Sequence, residues 1–364
     1  MLAGTYQKLR VCGGQHRLSA CLLAVVLALL AAYVTADDCV GDDGTAISLH
    51  SDYGNGARYR GIRLLGSLRL SARNIDGLKV HGLSGLTWSA SHQRLYAVSD
   101  RGFLLHLAPR FVDGILVDVS FCAAFPLRDA EGSPLRGRWR DAEGLSLRAA
   151  SAATAEQLLI SFEQHPRIER YSVDGRHLGS MIVPAELRDL ARYASANRAL
   201  EALTETRRFG VITAPELPSR NQRTRETPLV ALHGARWPFY TLDAAHSGLV
   251  GLEKLPDDNL LVLERRYISP FHPLIIALSR VRLSALPGRS AQQEELARFD
   301  TSQGWAMDNF ESVARHEDNR YFMITDDNAH PLQHSLLVYF EIMDANAQPA
   351  PAEIPQPPLS KHRL

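Results

Sequence analysis

The chain has 364 residues, 40 Lys+Arg against 40 Asp+Glu, no formal net charge and 45% hydrophobic residues. That length supports a large buried core. The even charge balance excludes the strong basic field expected of a nucleic-acid partner or of a protein drawn to an anionic membrane surface.

Lys8, Arg10 and Arg17 precede an uncharged stretch over residues 18–36, which ends in Val34-Thr35-Ala36 before Asp37-Asp38. Basic residues, an apolar run and small residues at the cleavage point predict a signal peptide over residues 1–36. Its removal leaves no stable membrane span and puts the protein in the periplasm or outside the cell; an uncleaved anchor is the alternative. Cleavage also removes Cys12 and Cys21. Cys39 and Cys122 remain, an even pair predicted to be disulfide-bonded in an oxidising compartment.

Residues 37–344 are expected to form one domain, built on a repeat of about 57 residues. Five segments share one plan: Gly82-Leu83-Ser84-Gly85-Leu86, Asp141-Ala142-Glu143-Gly144-Leu145, Ala199-Leu200-Glu201-Ala202-Leu203, Val250-Gly251-Leu252-Glu253-Lys254-Leu255 and Asp308-Asn309-Phe310-Glu311-Ser312-Val313. Each leads to a short apolar run. Four of these runs end in an acid, Asp100, Glu163, Glu264 or Asp326. The third run, Phe209-Gly210-Val211-Ile212-Thr213, lacks an acid at the matching place, with Glu216 a little later.

The runs are rich in β-branched and aromatic residues and predict strands. Asp113-Gly114 and Asp174-Gly175 each separate two further strand-like runs, the signature of a tight hairpin. Roughly four strands per repeat predict an all-β propeller blade. Six blades are expected, five or seven being alternatives, with residues 60–71 pairing with the C-terminal strands to close a sixth. A short helical insertion is expected over residues 184–198 and a long polar loop over residues 215–228. The Pro-rich residues 345–364 predict a disordered tail.

In a propeller, equivalent positions of successive blades converge on one channel. Glu143, Glu201, Glu253 and Glu311, with Ser84 in the fifth place, are therefore expected to form one ring, and Asp100, Glu163, Glu264 and Asp326 a second. So many carboxylates repel one another. A hard cation with oxygen ligands relieves the repulsion, and Ca²⁺ fits best. Arg101, Arg167, Arg265 and Arg266 lie within a few residues of the second set and can share the task. His165, near Glu163, and His81 are candidate acid–base groups. No nucleophile elbow, zinc helix or phosphate loop occurs in the sequence.

Together, GLSGLTWSASHQRLYAVSDRG from Gly82, DAEGLSL from Asp141, LISFEQHPRIERY from Leu159, NRALEALT from Asn197, GLVGLEKLPDDNLLVLER from Gly248 and DNFES from Asp308 resemble the phytase-like esterase domain family of exported bacterial proteins. The resemblance covers nearly the whole domain. It implies a propeller related to calcium-dependent phytases and hydrolysis of phosphate or carboxylic esters. The expected partner is a small-molecule ester or phosphate substrate, with the carboxylates on Ca²⁺ and Arg101, Arg265 or Arg266 on the developing negative charge. A non-catalytic binding propeller and a lactonase-type enzyme are the other readings.

Overall fold

The computed structural model describes residues 39, 41–217, 225–284, 291–330 and 332–343. The predicted signal peptide and tail lie outside the described residues, as does half of the predicted polar loop, residues 218–224. The chain divides into two units, Met1–Val40 and Gly41–Leu364. Every described strand belongs to the second. Both Cys39 and Cys122 are disulfide-bonded. Among the described residues no helix is long and apolar enough to cross a membrane.

Five antiparallel sheets form five blades, not six. The first runs through Leu83–Ser89, Arg94–Ser99, Phe103–Val112 and Ile115–Pro126. The second uses Ala142–Arg148, Gln157–Phe162, Arg167–Tyr171 and His177–Ser180. The third uses Leu200–Thr206, Gly210–Pro215, Glu226–Ala231 and Arg236–Tyr240, and the fourth Ser247–Lys254, Leu260–Arg266, Ile275–Arg282 and Gln292–Asp300. The C-terminal part of the chain supplies only three strands of the fifth blade, Phe310–Arg315, Arg320–Thr325 and Leu336–Ile342.

The missing outer strand comes from the other end of the domain: Ile62–Leu70 pairs antiparallel with Leu336–Ile342. The expected closure by residues 60–71 therefore exists, but it completes the fifth blade; among the described residues only the two-residue strands Asn74–Ile75 and Leu78–Lys79 are left over, too few for a sixth. Gly44–Ala46 extends the same sheet. The innermost strands neighbour one another in a closed circle, fifth against first. Such a circle exposes no inner edge.

Burial follows the same count. The hydrophobic core falls into five clusters, one between each pair of adjacent blades. In the fourth blade Leu260 and Val262 pack toward the third, while Leu261 and Leu263 pack toward the fifth. Alternate side chains of a strand point to opposite faces. A strand with both faces covered is therefore apolar throughout, which is why these segments appear as continuous runs.

Both predicted hairpins form. Asp113 and Gly114 adopt positive φ (51° and 77°), as a two-residue turn between right-twisted strands requires. The insertion after the second blade holds a single helical turn, Ala185–Arg188, and a 3-10 turn, Leu190–Arg192.

Near the axis the inner strands approach too closely for side chains at certain places. A Cβ at Gly85 would collide with the carbonyl oxygen of Glu143, and one at Gly144 would stand 2.9 Å from the carbonyl oxygen of Glu201. Gly85→Ala must push the first two blades apart. Overpacking of this kind costs about 2 kcal/mol, and a matching loss is expected in urea unfolding; an unchanged midpoint would contradict the closeness of these strands.

Candidate active site

Each inner strand carries an irregularity close to its start, where the pairing register with the second strand shifts. The shifts fall at Leu83/Gly85, Ala142/Leu145, Leu200/Ala202, Leu249/Gly251 and Phe310/Ser312. Bulges re-aim side chains. The residues at equivalent places are Ser84, Glu143, Glu201, Val250 and Glu311.

A second set follows directly on the second strands. The amides of Asp100, Glu163, Glu216 and Asp326 donate to the carbonyls of Gly82, Asp141, Ala199 and Asn309. In the fourth blade Arg265 lies opposite Gly248 at the same register. The second set is thus Asp100, Glu163, Glu216, Arg265 and Asp326. Together the two sets place seven carboxylates and one guanidinium at one mouth of the channel.

The fourth blade is where the expected ligand set changes. Glu253 lies three residues beyond Val250, toward the opposite mouth, beside Lys254, Arg315 and Thr87. Glu264 precedes the crown position by one residue, so its side chain turns away and accepts a hydrogen bond from the Leu242 amide. Neither reaches the carboxylate crown. Glu216 does, and fills in the third blade the second-set place that lacks an acid directly after the Val211-Ile212-Thr213 run.

The remaining candidates divide as well. Arg265 is buried, donating to Glu216 at 3.0 Å and pairing with Glu311 and Asn309. Arg101 stands at the rim, 3.3 Å from Asp100. Arg266 points away to Asp243 at 3.6 Å. Arg167 pairs with Glu169 at 3.1 Å in the outer part of the second blade. His165 packs its ring on Trp139, with centroids 3.8 Å apart, and makes no crown contact.

Burial dominates the electrostatics. Loss of hydration pushes Glu143, Glu163 and Glu201 well above the usual carboxylate range. Neighbouring acids push them further: Glu201, Asp141 and Glu311 on Glu143, Glu201 and Glu143 on Glu163, and Glu216 and Glu311 on Glu201. Burial raises Asp100 to about 6 against the pull of Arg101, and Asp326 to about 7 with Glu311 adding to the rise. Glu311 is also raised by burial, although Arg265 opposes the rise. Burial disfavours the charge on Arg265, but Glu311, Glu216 and Glu201 outweigh it and hold the proton.

Two groups of acids have oxygens close enough together to hold one metal ion, within 4.8 Å of one another: Asp141, Glu143 and Glu163, and Glu163, Glu201 and Glu216. Asp141 Oδ2 and Glu311 Oε2 are buried without a hydrogen-bond partner. Asp141 and Glu216 were absent from the predicted ligands. Both become legible once the repeats are aligned on Gly82, Asp141, Ala199, Gly248 and Asn309 instead of on the glutamates.

Arg265 is the one buried cation of the crown. Removing one partner of a buried ion pair costs about 3–5 kcal/mol, because the other charge is left uncompensated. Arg265→Met is expected to lower the unfolding free energy of the calcium-free protein by about that much in urea titration; a change below about 1 kcal/mol would contradict its placement.

Residues 78–329 match the phytase-like family model, described as "Esterase-like activity of phytase". Among solved structures, the chain is similar to the β-propeller domain of Cps50 (Swd1) from Myceliophteria thermophila: 10% identity, TM-score 0.35, over 83% of this chain and 100% of that one. It is also similar to U3-55K, with 11% identity and a TM-score of 0.35 over 73% of this chain and 77% of that one. No curated protein matches the chain.

Proposed function

The chain belongs to the phytase-like family, and from that premise we propose that it hydrolyses phosphate or carboxylic esters outside the cytoplasm at the acidic mouth of its channel. One observation carries the reading: seven carboxylates are gathered around a single buried arginine, and two acid oxygens there have no partner. That donor set is all oxygen, clustered and under-neutralised, and it fits calcium. Asp141, Glu143 and Glu163, or Glu163, Glu201 and Glu216, are the residues that would hold an ion. Calcium held there would supply polarisation of the ester oxygen.

The chain's own residues supply the rest. Arg265 braces Glu216 and Glu311, which fixes one side of the crown. Arg101 stands at the rim with Arg140, whose Cβ would be met at 2.6 Å by a Cβ on Gly102. Exposed Arg101 and half-buried Arg140 draw an anionic ester to the mouth and oppose charge developing on its oxygens. Asp326, raised by burial to about 7, could take a proton from an attacking water when ionised. Arg266 and His165 make no contact that would give them a part. The disulfide-bonded Cys39 and Cys122 support an oxidising compartment.

Purified protein is expected to turn over phytate or aryl phosphates and esters, to lose the activity in chelator, and to regain it with calcium. Glu143→Gln and Glu201→Gln should each reduce kcat/KM by about 100-fold or more, equivalent to about 2.7 kcal/mol. Turnover indifferent to chelator, or none on phosphate, aryl ester and lactone panels alike, would overturn the reading; turnover of lactones alone would assign a lactonase.

The crown also predicts how stability depends on pH. Asp100 and Asp326 titrate near 6 and 7 in the fold, above their unfolded values, so the folded state holds protons that the unfolded chain has shed. Stability of the calcium-free protein should therefore fall as pH rises from about 4 to about 7. The rise in Tm on adding calcium should accordingly be larger at about pH 8 than at about pH 5, which differential scanning calorimetry measures; equal rises would contradict it.

A further inference from the structure

The second blade carries a cleft that the crown does not use. It encloses 730 Å³ beside the turn Gly137–Trp139 and is lined by Pro134, Leu135, Arg136 and Trp139, with Arg167, Glu169 and His177 among its polar residues. Trp139 is 43% exposed there, although Trp237, Trp305 and Trp88 are buried. A half-exposed indole offers a ligand an apolar face with a polar N–H edge. The ring is held in place: His165 packs against it at 3.8 Å, and its backbone carbonyl accepts from Arg167 Nη2 at 2.6 Å.

The polar residues of the cleft are prearranged. Arg167 stacks on Phe162 at 3.6 Å and pairs with Glu169 at 3.1 Å. His177 Nε2 is buried without a hydrogen-bond partner, 3.8 Å from Glu169 Oε1. Arg136, Arg138 and Arg140 alternate with Gly137 and Trp139 along the segment leading to Asp141, and among the described residues none of the three forms a salt bridge. Aromatic and basic character therefore coincide on one short segment, and the crown starts two residues after Trp139.

We propose that this cleft binds the organic group of the substrate, and that the preferred ligand is a phosphomonoester of an aromatic ring. The ring stacks on Trp139, and the phosphate points along Arg138 and Arg140 toward the crown. The assignment of a reacting phosphate rests on the proposed hydrolytic function; the stacking site does not.

Fluorescence titration of the full chain tests it directly, because Trp139 is the exposed indole. Phenyl phosphate is expected to quench the emission and to bind about tenfold more tightly than n-propyl phosphate, which corresponds to about 1.4 kcal/mol and lies in the range of a stacked aromatic pair. By calorimetry, Trp139→Ala should abolish that preference and Trp139→Phe should keep most of it. Glu143→Gln should lose turnover yet keep the tenfold ratio, which separates the cleft from the chemistry. Equal affinities for the two esters, or a preference unchanged in Trp139→Ala, would overturn the assignment. A preserved preference in a protein that hydrolyses nothing would leave the cleft standing and remove the hydrolase.

Discussion

Repulsion between carboxylates gathered around one axis is the constraint to which the rest of this molecule answers. Two unit charges about 5 Å apart repel by roughly 3 kcal/mol even at the moderate effective dielectric of a partly buried site. Glu143, Glu163 and Glu201 each face more than one such neighbour and have lost most of their hydration. Protonation relieves this at low pH, Arg265 relieves it on one side, and a bound cation relieves it at neutral pH. The unpartnered oxygens of Asp141 and Glu311 mark where that relief is incomplete.

The fold makes this concentration of charge hold. Hydrophobic clusters between all five pairs of adjacent blades clamp the disc, so separating two carboxylates means disrupting a packed core. The pairing of Ile62–Leu70 with Leu336–Ile342 joins the two ends of the domain within one sheet. Close backbone approach at Gly85 and Gly144 brings the inner strands near enough for their bulges to present side chains to a common centre. Stability spent on the crown is recovered in the apolar interfaces around it, the usual arrangement at functional sites.

Much of this is legible in the sequence, because a repeat constrains every blade to the same plan. Asp141-Ala142-Glu143 and Asn309-Phe310-Glu311 show the inner strand, and Asp100, Glu163 and Asp326 show the second set of acids. Two things mislead. Chain length admits a sixth blade, but the extra residues go into the segment around Trp139, the insertion around Leu187 and the outer strand Gly44–Ala46. In the fourth blade, Gly251-Leu252-Glu253 imitates the motif three residues late. True equivalence puts Val250 and Arg265 where other blades carry acids. A register error of this size leaves the fold intact and reassigns the site, because each step along a strand reverses the direction of its side chain. The Trp139 cleft is not legible at all, since a connecting segment and two outer strands build it from residues without a common pattern.

Proton counting upon calcium binding tests the central claim most directly. Calorimetric titration of the metal-free protein at about pH 6, in two buffers of different ionisation enthalpy, gives the number of protons released per ion bound. Carboxylates held protonated by burial and mutual repulsion must give up their protons to the ion, so saturable binding with release of one or more protons is predicted, and Glu143→Gln should lower the count. Absence of saturable calcium binding, or binding without proton release, would contradict the account of the crown.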